Sequence, residues 1–256
     1  MEINLNNNGD FISSKRMTRM LLMLAAPAIV SNITVPLLGL SDTFITGHLG
    51  AEVYVASIAV GTMLVNALYW LCGFLRMGTT GLTAEAFGRE DEARRSDILR
   101  MSLLIAVAIG TGLIILAPLL KDLLLGIMAP PGEVRVLGGR YFEISVWGAP
   151  AILATMSLVG WMVGSQNTFY PMIVSVGVNV INIIASFTLV FGLDFGFVGV
   201  AYGTLTANWI GLGAALWFAV RMMPSGLTMS GIRGLAKRVD AGRFFKVNGN
   251  LFIRSA

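Results

Sequence analysis

An acidic residue, Asp42, lies in a stretch of the sequence that carries no other charge from Met20 to Gly47. A carboxylate near the centre of a membrane span costs about 2.5–3.5 kcal/mol, so such residues generally face a cavity and have a function. The chemistry open to it is proton uptake or cation binding. Asp42 comes 23 residues after Arg19, about 35 Å along a helix at ~1.5 Å per residue. This depth places Asp42 in the outer half of the span, where capping the helix end is the alternative role.

Polar and small residues recur at helical spacing around Asp42 and in two later apolar stretches. Intervals of three and four residues place each set on one face of a helix. The sets are Asn32, Val35, Gly39, Asp42 and Thr46; Ser175, Asn179, Asn182 and Ser186; and Thr204, Asn208 and Gly211. Such faces pack on protein or water and not on lipid. One stripe alone could serve interhelical hydrogen bonding, whereas three stripes indicate a hydrated cavity inside a helical lobe.

Two prolines, Pro27 and Pro36, precede Asp42 in the same apolar stretch. Each removes a backbone donor and disfavours the bond to the carbonyl four residues earlier, at Met23 and Asn32 respectively. Membrane helices tolerate this where neighbours or water satisfy the freed groups. A bend at Pro27 or Pro36 would let the Asp42 end of the helix move, and a static kink is the alternative.

The composition indicates what must position these residues: an all-α integral membrane protein. Of 256 residues, 55% are hydrophobic and only 12% are charged, against about 25% charged in soluble domains. The single cysteine, Cys72, and single histidine, His48, exclude a disulfide framework and a Cys/His zinc site. The common hydrolase, zinc-protease and P-loop motifs are absent, so no enzyme is predicted. The basic residues cluster at the ends of apolar runs, which indicates membrane topology rather than nucleic-acid binding.

Apolar runs long enough to cross a bilayer predict six spans. They cover residues 17–46, 53–75, 98–120, 141–163, 171–192 and 197–220. The Gly/Thr-rich stretch 76–88 is predicted to connect the second span to a charged loop, and 121–139 to form a surface turn. The predicted organisation is a cytoplasmic tail (1–16), a six-helix lobe (17–221), a cytoplasmic loop (222–243) and the start of a seventh helix (244–256).

Lysine and arginine placement predicts the orientation. With the N-terminus inside, 14 basic residues fall on the cytoplasmic side and three, Lys121, Arg135 and Arg140, on the other. The basic approach and apolar residues at 243–253 repeat the pattern of 15–25. We therefore expect two six-span units related by an axis along the membrane normal, of which this chain is the first. The alternative is a complete six-span protein with an interfacial C-terminal segment.

Several sequence stretches together resemble the first half of MATE multidrug transporters, particularly the DinF-like branch. The resemblance runs over the whole chain. The matching stretches are Ala26-Pro27-Ala28, Gly39-Leu40-Ser41-Asp42-Thr43, Gly47-His48-Leu49-Gly50, Phe74 to Gly81, Ala86 to Arg89, Gly164 to Pro171 and Gly196 to Thr204. It implies twelve spans in two six-helix lobes, alternating access, and export of organic compounds against an inward flow of H⁺ or Na⁺. The implied location is a bacterial inner membrane, with the second lobe as a partner and no cofactor beyond the coupling ion.

The resemblance also assigns residues. It makes Asp42 the candidate for coupling to H⁺ or Na⁺, and it places Tyr141, Asn182 and Thr204 in the cavity beside it, with Asn179 on the same stripe. Archaeal members have an aspartate where this sequence has Ser186. Asp42 would then be the only cavity acid of the lobe, either as a single-acid proton site or as a Na⁺ site completed by neutral oxygens.

The predicted mechanism is that a desolvated Asp42 binds a proton from outside, the first span rearranges, and affinity for the exported, cationic or amphipathic, compound falls. Two alternatives remain open. A lipid-linked oligosaccharide flippase of the same superfamily would need several basic cavity residues to bind pyrophosphate. A six-span scaffold or intramembrane enzyme would place the polar stripes on lipid-facing or tightly packed surfaces.

Overall fold

The structure is a computed structural model that describes residues 14–49 and 52–223. Side chains of part of α1, including Asn32, are outside this description. All regular secondary structure in the described ranges is helical. The helices are α1 (Ser14–Gly47), α2 (Glu52–Leu71), α3 (Phe74–Gly88), α4 (Glu92–Met128), α5 (Gly132–Ser145), α6 (Ala149–Gly164), α7 (Phe169–Phe187) and α8 (Phe197–Met222). The predicted loop 222–243 and seventh helix 244–256 lie almost entirely outside the described residues.

These helices join into six rods. Five segments are long and apolar enough to cross a bilayer: Glu52–Gly88, Glu92–Met128, Gly132–Gly164, Phe169–Gly192 and Phe197–Met222. The sixth rod is α1, with 34 residues. A tight turn joins α2 to α3, the 3₁₀ turn Val146–Gly148 joins α5 to α6, and the π-helical turn Thr188–Gly192 extends α7. The predicted all-helical membrane fold is confirmed.

The connections are shorter than the sequence predicts. The sequence predicts a connecting stretch at residues 76–88. This prediction is wrong, because these residues are helical and belong to α3, which runs from Phe74 to Gly88. The helix α4 begins at Glu92, so Arg94 and Arg95 are helical and not part of a charged loop. The predicted surface turn 121–139 shrinks to 129–131, between α4 and α5.

The bundle packs through its middle and exposes an apolar exterior. The helix α6 contacts α3 and α4, α8 contacts α7, α5 contacts α2, and α1 lies mainly against α7. Large apolar side chains on the outside are well exposed, among them Ile115, Leu119, Ile127 and Trp217. A soluble domain would bury them, and a lipid bilayer solvates them.

A buried arginine anchors one end of the bundle. Arg95 on α4 is 6% exposed, and its guanidinium lies 2.6 Å from the Glu92 carboxylate. The same group lies 5.5 Å from the ring centroid of Trp161 on α6 and 5.7 Å from that of Phe87 on α3. The Trp161 indole donates a 2.9 Å hydrogen bond to the Arg95 carbonyl. One side chain thus ties together three helices.

Candidate functional site

Asp42 lies five residues before the end of α1. Its side chain is partly buried, and one carboxylate oxygen, Oδ1, is buried without a hydrogen-bond partner in the described residues. The Thr46 hydroxyl one turn later donates to the Asp42 backbone carbonyl at 2.7 Å, not to its carboxylate. A negative charge near a helix C-terminus opposes the helix dipole. Asp42 therefore neither caps nor stabilises the end of α1.

Tyr141 on α5 is the aromatic neighbour of this carboxylate. Its side chain is 4% exposed, and its hydroxyl lies within electrostatic reach of Asp42 and beside the hydroxyls of Thr62, Ser145 and Thr204. The Thr62 and Ser145 hydroxyls are themselves buried without a hydrogen-bond partner of good geometry. This part of the bundle therefore holds several polar atoms whose hydrogen bonding is incomplete.

Gly61 on α2 makes room for the Tyr141 ring. A side chain at Gly61 would bring its Cβ to 2.6 Å from the ring Cδ1 of Tyr141. The ring can lie against α2 only because position 61 has no side chain. Sequence reasoning missed both Gly61 and Thr62, since neither belongs to a polar stripe.

Asn182, Ser186 and Thr204 form a second polar group where α7 meets α8. The Asn182 amide Nδ2 donates to Thr204 Oγ1 at 3.0 Å, and Ser186 Oγ donates to Asn182 Oδ1 at 3.2 Å. Asn182 is 2% and Ser186 0% exposed. The structure brings Tyr141 and Thr204 together and so joins this group to Asp42. We call Asp42, Thr62, Tyr141, Ser145, Asn182, Ser186 and Thr204 the polar cluster.

An apolar layer covers the polar cluster at the end of the bundle where α1 finishes. Ile45, Tyr141, Val190, Phe197 and Val200 pack together there and are all buried. Tyr54 stacks on Phe197 with their ring centroids 5.6 Å apart. Tyr141 belongs to both groups, so the apolar layer is in direct contact with the polar cluster.

Asn179 and Asn208 lie elsewhere. Both line a cavity of about 400 Å³ together with Ser31, Thr155 and residues of α6 and α7. The Asn179 amide donates to Thr34 on α1 at 2.8 Å. Ser186 and Asn182 do not line this cavity, and neither does Asp42. The structure therefore divides the predicted cavity-lining set between the polar cluster and this cavity, which we call the central cleft.

The helix α1 continues through both prolines. The Ser31 hydroxyl donates to the Pro27 carbonyl at 3.0 Å, and the Thr34 hydroxyl donates to the Ser31 carbonyl at 2.7 Å. Hydroxyl groups thus bind backbone carbonyls in the stretch between Pro27 and Pro36, where the regular ladder is weakened. Any bend at these residues leaves α1 a single helix.

Arg76 is the functional candidate that sequence reasoning assigned to a loop. It lies in the first turn of α3, its side chain is exposed, and it lines the central cleft. The signal was available, because Arg76 is the only charge between Glu52 and Glu85. It is the same signal that identified Asp42.

Comparison with known proteins decides the family. The sequence model of the MatE family matches residues 27–188, more than half of the chain. The chain belongs to the MatE family.

Curated relatives agree with this assignment. This MatE chain is 38% identical over 236 residues to DNA damage-inducible protein F of Escherichia coli, covering 91% of the chain and 50% of that protein. It is 28% identical over 203 residues to a probable multidrug resistance protein NorM of Thermotoga maritima, covering 75% of the chain and 42% of that protein. The chain spans about half the length of the curated relatives it matches.

Solved structures support the same fold. An outward-facing multidrug resistance MATE family transporter superposes with a TM-score of 0.78 at 22% identity, over 92% of this chain and 52% of that one. A Vibrio cholerae MATE transporter in its bent form gives a TM-score of 0.79 at 16% identity, over 93% and 52%. At these identities the likeness concerns the fold.

No metal cluster is evident in the described part of this MatE chain, where no three or more His, Cys, Asp or Glu residues come together. Any cation at Asp42 would be completed by neutral oxygens. The polar cluster offers the Tyr141 hydroxyl, threonine and serine hydroxyls and the Asn182 carbonyl oxygen. Such ligands suit a hard cation, and a proton needs only the carboxylate.

Proposed function

We propose that this chain forms the N-terminal lobe of a cation-coupled antiporter that exports organic compounds by alternating access, with Asp42 as the coupling residue. The observation that carries the proposal is the buried Asp42 Oδ1, which has no hydrogen-bond partner in the described residues. A buried polar atom without a partner costs free energy. Uptake of H⁺ or Na⁺ removes this cost, so Asp42 provides a site whose energy changes when a cation arrives.

The surroundings of Asp42 support a role in coupling. The buried Ile45 and Phe197 pack together with Tyr141, the aromatic neighbour of Asp42, so the carboxylate lies beside apolar surroundings. Asp42 is on α1, the helix that carries Pro27 and Pro36 and lies against α7. A change in the charge of Asp42 therefore acts directly on α1. The same helix contributes Ser31 to the lining of the central cleft. Binding of the cation and of the exported compound then weaken one another by the same factor.

The exported compounds are organic and amphipathic, and cations are among them. The amphipathic character is supported by the central cleft, which has walls of methionine and valine next to amides, hydroxyls and Arg76. Its volume of about 400 Å³ lies within the ~300–1,000 Å³ common for small-molecule sites. We place the protein in a bacterial inner membrane, with the N-terminus in the cytoplasm and a second six-helix lobe as its partner.

The coupling test replaces one carboxylate by its neutral amide. A full-length transporter that carries this lobe is reconstituted in proteoliposomes with ethidium as the probe, and efflux is driven by a pH gradient or by a Na⁺ gradient. We expect Asp42→Asn to abolish the response to the coupling gradient, and the gradient that drives wild-type efflux identifies the ion. Asp122→Asn, at an exposed acid of α4, is the matched control and should retain coupling. Gradient-driven efflux at the wild-type rate in Asp42→Asn would contradict the proposal.

The alternatives are less well supported. A flippase for lipid-linked pyrophosphates needs several cations in its cavity, and in the described residues the central cleft has one, Arg76. A scaffold would bury its polar stripes in packed interfaces. Asn182 and Ser186 do lie in such an interface, but Asn179 and Asn208 line an open cleft.

A further inference from the structure

Arg76 lies deep in its membrane span, where a charged side chain is energetically costly. Thirteen residues separate it from Arg89, which follows the end of α3, and ~1.5 Å per residue makes this about 20 Å. Half of a bilayer's hydrocarbon core is only about 15 Å thick. Arg76 is thus near the middle of the span, where basic residues face water-filled cavities or protein and generally mark a substrate or ion path.

Pairing with an acidic side chain does not account for the position of Arg76 in the span. The ion pairs within residues 14–49 and 52–223 join Arg89 to Glu85, Arg95 to Glu92, Arg100 to Asp97 and Lys121 to Glu143. Arg76 belongs to none of them. Its backbone carbonyl accepts the Thr80 hydroxyl at 2.8 Å, but this bond does not involve the guanidinium. The side chain is exposed although it lies deep in the span.

Two neighbouring cavities meet at Arg76. It lines the central cleft of about 400 Å³ and also a groove of about 710 Å³ along α2 and α3. Met156 lines both as well, so Arg76 and Met156 lie at the boundary between the two spaces. Arg76 therefore borders both an apolar groove with Trp70 and a cleft with amide walls.

We propose that Arg76 binds an anionic group, a carboxylate, sulfonate or phosphate, of amphipathic molecules that enter the cleft or the groove beside it. A guanidinium presents several N–H donors in a plane and suits such groups better than an ammonium does. The apolar part of the ligand would lie along Met156 and Trp70, while Asn179 and Asn208 offer further polar contacts. The identification of these ligands as cargo rests on the proposed transport function, but their binding does not.

The binding test uses two dyes with the same aromatic body. The probe 8-anilinonaphthalene-1-sulfonate carries one sulfonate, and N-phenyl-1-naphthylamine is its neutral counterpart. The 256-residue chain is placed in phosphatidylcholine nanodiscs, and the affinity for each dye is measured by fluorescence titration against empty nanodiscs. The variants are Arg76→Gln, Arg76→Lys and, as a matched control, Arg140→Gln, which removes an exposed arginine that lines neither the central cleft nor the groove.

We expect Arg76→Gln to weaken binding of the sulfonate dye about tenfold or more, as loss of a charged hydrogen bond does. Binding of the neutral dye should not change, Arg76→Lys should restore part of the sulfonate affinity, and Arg140→Gln should match the wild type. Equal sulfonate affinity in the wild type and Arg76→Gln overturns the proposal. An equal loss of affinity for both dyes in Arg76→Gln also overturns the proposal, because the residue would then only maintain the shape of the cleft.

A second arm identifies the source of the anion. The same titration is repeated in nanodiscs of phosphatidylglycerol, whose headgroup has a net negative charge because no choline cation offsets its phosphate. If these lipids compete with the sulfonate dye in the wild type but not in Arg76→Gln, Arg76 binds a lipid headgroup. If they do not compete while the Arg76 dependence persists, the site takes soluble anions. Coupling at Asp42 plays no part in these measurements, so failure here leaves the proposed function standing.

Discussion

The side-chain amide of Asn182 on α7 donates a 3.0 Å hydrogen bond to the hydroxyl of Thr204 on α8. The bond belongs to a directed chain, because Ser186 donates to Asn182 and Thr204 donates to the Val200 carbonyl at 3.1 Å. This chain fixes the orientation of the Asn182 amide and gives each member a partner. It therefore differs from Asp42, whose buried Oδ1 has none in the described residues. The polar cluster combines a satisfied interface with an unsatisfied carboxylate.

A double-mutant cycle measures the Asn182–Thr204 bond. We expect Asn182→Ala and Thr204→Val to show a coupling free energy of about 0.6 kcal/mol, the average for hydrogen bonds between membrane helices. The cycle removes the separate effect of losing the Thr204–Val200 bond. The measurement is equilibrium unfolding of the chain in mixed micelles. Thr206→Val, at an exposed threonine two residues away, is the control partner. A coupling for Thr206 as large as for Thr204 would show that the bond is not specific.

Close packing of α7 on α8 depends on Gly203. A Cβ built at Gly203 would lie 2.7 Å from the backbone nitrogen of Ser186, whereas one at Gly213 on the same helix meets nothing within 4 Å. We expect Gly203→Ala to lower the free energy of unfolding by about 1–3 kcal/mol through overpacking. Gly213→Ala should be neutral or stabilising by up to about 1 kcal/mol, since alanine favours helix. Thermal unfolding in detergent measures both, and equal melting temperatures for the two variants would contradict the packing argument.

The contribution of Arg95 to stability depends on the planar shape of its guanidinium as well as on its charge. Lysine would keep the ion pair with Glu92 but lose the planar group that faces the rings of Trp161 and Phe87. A desolvated cation–π contact contributes about 2 kcal/mol, so we expect Arg95→Lys to destabilise the chain by about 1–2 kcal/mol in chemical unfolding. Arg89→Lys, at an exposed pair with Glu85, should change stability by less than about 0.5 kcal/mol. The expectation fails if both variants unfold alike.

Five of the predicted spans fall within helical segments long and apolar enough to cross a bilayer, because hydropathy depends on composition alone. The sequence prediction nevertheless mistook the helical face that follows Arg76 for a loop. Gly78, Thr79 and Thr83 are buried in α3. In a membrane such small residues let helices approach closely, although in soluble proteins glycine and threonine of this density indicate turns. Because of this mistake Arg76 was assigned to a loop outside the membrane, and its position in the lining of the central cleft was not predicted.

The polar stripes lie on α1, α7 and α8, but the partners of their side chains depend on tertiary packing. Asn179 and Asn182 are on one predicted face, yet α7 lies between α1 and α8. Asn179 therefore bonds Thr34 on one side and Asn182 bonds Thr204 on the other. Helical period alone cannot separate residues about 60° apart around a helix when two neighbours share that face. Gly61 had no signal, because its role is to leave space for Tyr141.

Orientation in the membrane is tested by the reactivity of introduced cysteines. The native Cys72 is buried, and Cys72→Ala provides a background without thiols. His48→Cys is at the exposed end of α1, and Arg89→Cys is at the exposed turn between α3 and α4. Without Arg76, which lies within the span, 13 basic residues fall on the side of Arg89 and three on the other, so the positive-inside rule predicts Arg89 in the cytoplasm.

In intact spheroplasts, a membrane-impermeant maleimide should therefore label position 48 and not position 89, and permeabilisation should make both reactive. The two cysteines control for one another, because each variant must be labelled in at least one condition if it is folded and inserted. Labelling of position 89 alone in intact spheroplasts would reverse the orientation. Asp42 and the apolar layer above it would then face the cytoplasm, and the cation would have to reach the polar cluster from inside the cell.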